Sequence, residues 1–255
     1  MAVVVIPVYG RADLLWNIVR HLDGHNLILI DDCSPDIQTR RAVEEIGSRA
    51  GNRFVSMEHN RGFPVAANKG ASMVRSDRFF LLNTDVVPLE GWDQNMWNAM
   101  DRHEDAAAVG AKLLFPDLVT VQHAGVDLDK RSGLPRHVYR YFTRQAMEVC
   151  EPRAYAMVTH AAVLFRTSAF MQAGGYDEAF GIGMYDDCDL GLKFREMGFI
   201  SVYEPTAELI HEESASFKTR PDLDEIYKHS EKLFRERWVL SGRIFPLLSV
   251  RRLED

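Results

Sequence analysis

Residues 27–32 read Leu-Ile-Leu-Ile-Asp-Asp, so four aliphatic residues are followed directly by two carboxylates. A short, continuous run of branched aliphatic residues is typical of a parallel strand that is buried on both faces of a sheet. The two carboxylates would then mark the end of that strand. Ser34-Pro35 predicts that a helix begins there, because it offers an N-cap residue followed by a proline.

The same strand-and-helix unit recurs through the N-terminal half. Apolar runs at 3–8, 53–57 and 79–82 alternate with helix-like stretches at 11–22 and 64–74. Alternating strands and helices imply right-handed βαβ crossovers and a Rossmann-like, mostly parallel α/β sheet flanked by helices. Ligands of such sheets bind beyond the carboxyl ends of the strands, so we look for the functional residues there.

The second half is less regular. Its predicted elements are helices at 92–103, 168–172 and 187–197, strands at 107–110, 161–165 and 200–203, irregular β structure at 113–129, and a helical tail from Asp222. Residues 130–153 are rich in basic residues and show little periodicity, which predicts a long loop.

Composition narrows the class of protein. The chain has 255 residues, 46% hydrophobic and 26% charged, with a net charge of −7. These values exclude a disordered chain, a collagen and a coiled coil, and the negative charge argues against a dedicated nucleic-acid binder. The sequence contains no Walker loop, no Gly-x-Gly-x-x-Gly and no Gly-x-Ser-x-Gly. Their absence argues against P-loop NTPases, NAD-type dehydrogenases and the commonest hydrolases.

Cellular location is predicted from two further features. Three widely spaced cysteines form no disulfide or metal pattern, which favours a reducing, cytoplasmic compartment. No apolar run approaches the ~20 residues that span a bilayer. The first eight residues are apolar but lack a basic region before them, so we interpret them as a buried strand rather than a signal peptide.

The C-terminal part carries the opposite charge. Residues 226–252 contain seven Lys or Arg against two Glu. The simplest interpretation is a solvated basic helix. The apolar segments 238–240 and 244–248, bracketed by arginines, would also suit a peripheral contact with the inner face of a membrane or with a second subunit in a homo-oligomer.

Acidic clusters follow several predicted strands or open a helix. They are Asp31-Asp32, Asn83-Thr84-Asp85, Asp186-Asp187-Cys188-Asp189 and His211-Glu212-Glu213. Carboxylates at the mouth of a parallel sheet are hard oxygen ligands for Mg²⁺ or Mn²⁺, and a histidine could join them. Helix capping and turn chemistry are the alternative for each cluster taken alone, although three carboxylates within residues 186–189 exceed what one helix cap needs.

A loop that enters a predicted helix adds an anion-binding pattern. Arg61 and Lys69 lie in the stretches Asn60-Arg61-Gly62-Phe63-Pro64 and Asn68-Lys69-Gly70. Exposed backbone N–H groups and two cations near a helix start suit a diphosphate. Simple turn chemistry is the alternative.

Taken together and in order, these motifs resemble those of the family 2 inverting glycosyltransferases, which have the GT-A fold, over residues 2–216. The segments that carry the resemblance are 4–9, 29–34, 60–62, 66–70, 81–86, 174–178, 186–190, and His211 with Ser214. The Leu-Asn-x-Asp form at 82–85 is similar to the rhamnosyltransferase-like branch. The resemblance implies a catalytic domain at 1–216 and a basic helical tail at 217–255.

The resemblance also implies residue roles in binding a nucleotide-sugar donor such as a UDP- or dTDP-sugar. The residues expected on the nucleotide and donor side are Pro7, Val8, Tyr9, Arg11, Asp31, Asp32, Asn60, Gly62, Asn68, Asn83 and Thr84. Either Asp31 or Asp32 would hydrogen-bond the base.

For the chemistry, the resemblance implies Asp187 as the catalytic base and Asp85 with His211 as ligands of Mn²⁺ or Mg²⁺. Glu178, Asp186 and His160 would shape the site of a glycan, polysaccharide or glycolipid acceptor. Several positions depart from the family pattern, since Gly10 stands in place of Asn, Asp186 in place of Glu, and His160 in place of Gly. The bulky imidazole of His160 would narrow the sugar pocket.

Two other functions remain open on sequence alone. A sugar-nucleotide nucleotidylyltransferase would need a glycine-rich, basic loop after the first strand, and residues 9–13 are poor in glycine. A catalytically silent GT-A domain would serve as a scaffold or carbohydrate binder. It would be expected to lack the base or the metal-binding aspartate, and this chain has both Asp187 and Asp85.

Overall fold

The chain was analysed as a computed structural model that describes residues 1–212, 221–244 and 247. The strands are β1 Val3–Val8, β2 Asn26–Asp31, β3 Arg53–Ser56, β4 Arg78–Leu82, β5 Val86–Pro88, β6 Ala106–Leu114, β7 Val121–His123, β8 Val126–Leu128, β9 Pro135–His137, β10 Arg153–Tyr155, β11 Ala162–Arg166 and β12 Ile200–His211. The helices are α1 Ala12–Val19, α2 Ile37–Gly47, α3 Phe63–Ser72, α4 Trp92–Arg102, α5 Thr167–Gln172, α6 Asp186–Glu196 and α7 Leu223–Phe234.

Within the described ranges, ten of the strands form one sheet. Its main order is β10-β12-β6-β11-β4-β1-β2-β3, with β5 paired to β12 and β7 paired to β6. The four strands of the N-terminal half pair in parallel, as the alternation of strands and helices predicts. Beyond β4 the sheet is mixed, because β11 runs antiparallel to both of its neighbours.

The core lies on both faces of this sheet. Helices α1, α2 and α4 contribute to one apolar cluster, and α3, α5 and α6 contribute to the other. The predicted strand at 27–30 is therefore confirmed and extends by one residue at each end, and residues 27–31 of β2 are buried. Burial on both faces explains why its sequence shows no polar alternation.

Strand β12 is longer than the sequence predicts. The apolar pattern at 200–203 breaks at Pro205, yet one strand continues from Ile200 to His211. The pairing register with β6 shifts between Glu204 and Glu208, which accommodates the interruption. This continuation brings His211 to the sheet edge beside Val86 of β5.

The prediction of one long loop at 130–153 is wrong in part. Strand β9 lies within this stretch and pairs with β8 as a separate two-stranded sheet. A 3₁₀ turn at Met147–Val149 buries Val149. Strands of three residues with polar side chains on one face are too short to show a period, so the sequence pattern missed them.

Within residues 221–244, one face of the basic tail packs into the protein and the rest is half-buried or exposed. After α7, a π-helical turn at Arg235–Leu240 continues the chain. Phe234, Trp238 and Ile244 are fully buried in a cluster with Phe180 and Leu192. The expectation of a solvated helix is therefore wrong for this inner face, and Trp238 is not available as a membrane contact.

Other expectations for the tail fall outside the described residues. Ser214, Phe245, Pro246 and Leu248 belong to the parts of the sequence about which the structure gives no description. The boundary between residues 216 and 217 lies there too and stays a prediction. Among the described residues, no helix has the length and apolar character needed to cross a membrane.

Candidate functional site

A cavity of about 560 Å³ lies at the carboxyl ends of the parallel strands. It brings together most of the residues that the sequence singles out from distant parts of the chain. Its wall includes Pro7, Val8, Tyr9, Asp32, Asn60, Gly62, Asn83, Thr84, Asp85, His160, Asp186, Asp187 and His211. The location agrees with the rule that such sheets bind ligands beyond their strand ends.

Asp32 holds the loop that leads into α3. Its Oδ1 accepts from Arg61 N at 2.8 Å, and its Oδ2 accepts from Gly62 N at 2.7 Å. Burial raises the pKa of this carboxyl, although the two backbone hydrogen bonds oppose that effect. Each carboxylate oxygen of Asp32 therefore has a backbone partner, and the wall of the cavity is fixed at this point.

Gly62 lies where the loop before α3 meets the turn before α6 in the wall of the cavity. Its φ is +91°, and a Cβ at this position would lie 2.1 Å from the carbonyl oxygen of Gly181. The next residue, Phe63, donates its backbone N–H to the oxygen of Ile182 at 3.1 Å. Only glycine allows this approach, so the loop before α3 is joined to the turn before α6 by backbone contact.

Asp85 and His211 form the candidate metal site. His211 Nε2 lies 3.3 Å from Asp85 Oδ1, and both side chains are about nine-tenths buried. His211 Nδ1 is hydrogen-bonded to Gln122 Oε1 at 2.6 Å, whereas Nε2 has no hydrogen-bond partner in the part of the chain that the structure describes. A buried imidazole nitrogen beside a carboxylate fits a divalent cation.

This site offers few protein ligands. Among residues 1–212, 221–244 and 247, no group of three or more His, Cys, Asp or Glu side chains is placed to hold a metal. Asn83 lines the cavity beside Asp85 where a further carboxylate could have stood. A cation held here would need oxygen ligands from a bound anion as well, since Mg²⁺ is usually bound through one or two carboxylates plus substrate phosphates.

Two adjacent carboxylates stand at the start of α6. Asp186 is 5% exposed, and burial together with the charge of Asp187 raises its pKa well above the usual value. Asp187 is more exposed to the cavity, and its Oδ1 accepts from Cys188 N at 2.7 Å. The pair can therefore combine a protonated acid with a neighbouring carboxylate.

His160 lines the cavity from the start of β11. Its Nδ1 lies 2.8 Å from the hydroxyl of Tyr176, and its Nε2 has no hydrogen-bond partner among the described residues. Burial lowers the pKa of His160 to about 4, while the charge of Asp187 acts weakly in the other direction. The imidazole is therefore neutral at pH 7.

The backbone that leads into α6 is strained. Gly183, Met184 and Tyr185 have φ values of 140°, 73° and 62°, so two residues with side chains adopt the left-handed region. Such conformations persist only where the surroundings enforce them. Helix α7 supplies that support, because Ser230 Oγ donates to Gly183 O and the hydroxyls of Tyr185 and Tyr227 are 2.9 Å apart.

The first turn of α6 is also held by the segment after α7. Asp189 is fully buried, and its Oδ1 accepts from Trp238 Nε1 at 2.9 Å and from Arg237 Nη1 at 2.8 Å. Lys193 Nζ lies 2.9 Å from the other oxygen. Arg237 also pairs with Asp177. This ion-pair network, the Asp189 cluster, fixes the helix on which Asp186 and Asp187 stand.

Four predicted site residues do not line the cavity. Arg11 pairs with Asp13, and Asp31 Oδ1 accepts from Ser34 N. Asn68 exchanges two hydrogen bonds with the backbone of Tyr176, and Glu178 pairs with Arg61 at 3.3 Å. These contacts give the four side chains structural partners, and their predicted roles remain untested.

Sequence reasoning missed several residues of the cavity wall. The wall also contains Gln122, Arg136, His137, Arg140, Thr159, Met184, Tyr185 and Tyr227. Half of them come from the predicted loop at 130–153 or from the predicted helical tail, where the sequence showed no functional motif. Gln122 gave no signal at all, because its partner His211 is 89 positions away.

Comparison with known families and proteins identifies a matching family and several relatives of the chain. A family model described as "Glycosyl transferase family 2" matches residues 3–172, well over half of the chain. The O-antigen biosynthesis protein RfbC of Myxococcus xanthus is 29% identical over 229 residues, which are 84% of this chain and 17% of that protein. The pre-mycofactocin glycosyltransferase of Mycobacterium tuberculosis is 27% identical over 82% of this chain and 42% of that protein.

A third relative matches over more of its own length. The N-acetylglucosaminyl-diphospho-decaprenol L-rhamnosyltransferase of Mycobacterium tuberculosis is 25% identical over 75% of this chain and 67% of that protein. This chain therefore spans less than half the length of the first two relatives and about two thirds of the third.

Solved structures agree on the architecture. GalNAc-T7 with UDP, GalNAc and Mn²⁺ superposes with a TM-score of 0.68 at 16% identity, over 83% of this chain and 43% of that one. The mannosyltransferase PcManGT from Pyrobaculum calidifontis, in complex with GDP-Man and Mn²⁺, has a TM-score of 0.60 at 16% identity, over 85% and 58%. The fold is thus GT-A, the predicted family is confirmed, and the chain belongs to glycosyl transferase family 2.

Proposed function

We propose that this chain is an inverting glycosyltransferase that moves a sugar from a UDP- or dTDP-sugar to a hydroxyl of a glycan, polysaccharide or glycolipid. The observation that carries the proposal is that Asp187 and the Asp85–His211 pair line one cavity, with Asp32 in its wall. Such a cavity offers a base and a cation site to the same bound substrate. Relatives named for O-antigen biosynthesis and rhamnosyl transfer support this substrate class.

Asp85 and His211 would hold a divalent cation, Mn²⁺ or Mg²⁺, with Asn83 beside them toward the donor. When bound, the metal supplies positive charge opposite the diphosphate as negative charge develops on the leaving oxygen. The unpartnered, buried Nε2 of His211 supports this assignment. The structural neighbours solved with Mn²⁺ are consistent with it.

Asp187 would take the proton from the acceptor hydroxyl as that hydroxyl attacks the sugar. A hydroxyl has a pKa far above 7, so it needs a positioned base. Attack from the side opposite the leaving diphosphate gives a single displacement with inversion. The N-terminus of α6 stabilises the carboxylate and weakens it as a base, so positioning must supply much of the rate.

The acceptor would lie beside Asp186 and His160. Burial raises the pKa of Asp186 and so favours its neutral carboxyl, and it keeps the imidazole of His160 neutral; both groups can then form hydrogen bonds with sugar hydroxyls without adding a charge. Tyr227 of α7 lines the same cavity. We therefore propose that the tail, through its described residues 221–244, completes the catalytic domain of 1–216 on the acceptor side.

A panel of nucleotide-sugars tests the proposal without a known acceptor. Each sugar nucleotide is incubated with the protein and Mn²⁺, and release of nucleoside diphosphate by slow hydrolysis is measured. We expect release from at least one UDP- or dTDP-sugar and its loss in excess EDTA. Full turnover in EDTA would remove the metal roles of Asp85 and His211. Nucleotide binding without release from any sugar nucleotide would favour the catalytically silent domain.

A further inference from the structure

Gln122 makes two contacts with the same residue, His211. Its Oε1 lies 2.6 Å from His211 Nδ1, and its Nε2 donates to the backbone oxygen of His211 at 3.3 Å. The Gln122 side chain is 3% exposed, so water does not compete for these contacts. The Gln122 amide thus contacts both the imidazole ring and the main chain of His211.

These two contacts determine the orientation of the amide. A carbonyl oxygen can only accept, so the NH₂ end of Gln122 must face the backbone oxygen of His211. The opposite orientation would place two acceptor oxygens against each other in a buried site, which is costly. The oxygen of Gln122 therefore faces Nδ1.

The amide orientation in turn determines the tautomer of the ring. Because Gln122 Oε1 can only accept, His211 Nδ1 carries the proton, and in the neutral imidazole Nε2 keeps its lone pair. That lone pair belongs to the nitrogen 3.3 Å from Asp85 Oδ1, which has no hydrogen-bond partner among the described residues. Binding of a metal through Nε2 requires this tautomer.

The strand that carries Gln122 is itself anchored. The next residue, His123, is fully buried, and its Nε2 lies 3.3 Å from Gly125 N and 3.4 Å from Thr159 N. Strand β7 pairs antiparallel with β6 at Leu113 and Leu114, on the edge of β6 opposite to β12. Gln122, the partner of His211, therefore lies on a strand that is anchored by contacts of its own.

We propose that Gln122 is a positioning residue that fixes the tautomer and direction of His211, so that Nε2 binds the divalent cation. The inference rests on the metal role proposed above for Asp85 and His211. Partners that hold the second ring nitrogen of a ligating histidine typically change metal affinity by about 10–100-fold when they are removed. Gln122 would not touch the substrate or the metal.

Mn²⁺ affinity tests this role separately from catalysis. The free-Mn²⁺ signal in electron paramagnetic resonance is titrated with the full chain, with and without UDP. Gln122→Leu, which removes the acceptor at Nδ1, should weaken Mn²⁺ binding about 10–100-fold. Gln94→Leu is the matched control, because Gln94 is an exposed glutamine that bonds Asn98 on α4.

The reference variant Asp85→Asn distinguishes a wrong role for Gln122 from a wrong metal site. If Asp85→Asn weakens Mn²⁺ binding and Gln122→Leu does not, the role of Gln122 is wrong and the metal site stands. If neither variant changes the affinity, the metal site itself is wrong. If Gln122→Leu does not fold, Gln122→Met takes its place, since it keeps the length of the side chain without the acceptor.

¹⁵N resonances of the imidazoles give a second readout in the absence of metal. The His211 ring should report a proton on Nδ1 in the parent protein. In Gln122→Leu the proton should shift toward Nε2 or exchange between the two nitrogens. A parent spectrum with the proton fixed on Nε2 would contradict the proposal.

Discussion

The chain contains two Asp-Asp pairs that look alike in the sequence and differ in the structure. Asp32 gives both of its oxygens to backbone N–H groups of the loop at 61–62. Asp186 is buried next to Asp187, and its pKa is raised well above the usual value. The carboxylates of Asp31-Asp32 are therefore engaged in hydrogen bonds to the backbone, whereas the Asp186-Asp187 pair keeps carboxyl groups that can exchange a proton. Partners rather than residue type decide which aspartates are free for chemistry.

Replacing Asp187 tests the chemical half of this comparison most strongly. Asp187→Asn keeps the size of the side chain and removes the base, so we expect transfer to fall about 10³-fold. Nucleotide affinity, measured by calorimetry, should stay within about threefold, because the donor is held elsewhere in the cavity. Near wild-type turnover of this variant would overturn the assignment of the base.

The neutral imidazole beside this second pair predicts a dependence of stability on pH. The pKa of His160 is about 4 in the folded state against about 6.5 in an unfolded chain, because burial opposes the charged form. The unfolded state therefore binds more protons between these values, and the free energy of unfolding falls as the pH drops from 6.5 to 4. The contribution of His160 over this interval is roughly 3 kcal/mol.

The variant His160→Gln isolates that contribution. Between pH 4 and 6.5, the free energy of unfolding of this variant should depend less steeply on pH than that of the parent protein. At the midpoint of this interval, the difference in slope should correspond to about one proton per molecule. Chemical denaturation at a series of pH values measures the difference. Equal slopes for the two proteins would show that His160 does not titrate in this way.

Removing Asp32 tests the backbone-holding half of the comparison. Asp32→Ala leaves the N–H groups of Arg61 and Gly62 without their carboxylate, which should lower the free energy of unfolding by about 2 kcal/mol. The affinity for nucleotide should fall with it, since the loop forms the cavity wall. Asp13→Ala is the control, because Asp13 is exposed and pairs only with a surface arginine. Equal losses from both variants would contradict the distinction.

The smallest effect is expected from Asp186. Burial and the charge of Asp187 raise the pKa of Asp186 and favour its protonated form, so the amide of Asp186→Asn is a near-isosteric replacement that adds no charge to the buried site. We expect transfer to change by less than about tenfold, far less than with Asp187→Asn. A loss as large as that of Asp187→Asn, measured in the same assay, would show that the two carboxylates are equivalent.

The parallel part of the fold was predictable because its signals are local. The aliphatic run at 27–30 and the helix signal at Ser34-Pro35 lie within a few residues of one another. The regions that failed are those built from distant contacts. Strand β9 is three residues long and pairs with β8, and Trp238 is buried in an apolar cluster while Asp189, 49 positions away, accepts its N–H.

The candidate site was predictable in the same uneven way. Asp32, Asp85 and Asp187 follow strands or open helices, where the topology alone concentrates ligands. Asn68 lies within α3 and Glu178 in a 3₁₀ turn at Glu178–Phe180, and their side chains contact Tyr176 and Arg61 instead. Gln122 lay outside every motif, because its contribution depends on the direction of one amide. Side-chain direction depends on tertiary packing, and a sequence pattern does not record it.

The Asp189 cluster has a consequence for the order in which the protein is made. Arg237 and Trp238 follow every residue of the cavity wall in the chain, and both bind the carboxylate in the first turn of α6. During translation, Asp186 and Asp187 leave the ribosome before the side chains that neutralise Asp189 beside them. A nascent chain that stops short of Arg237 therefore holds Asp189 with Lys193 but without Arg237 and Trp238, so the Asp189 cluster is completed only after every residue of the cavity wall has been made.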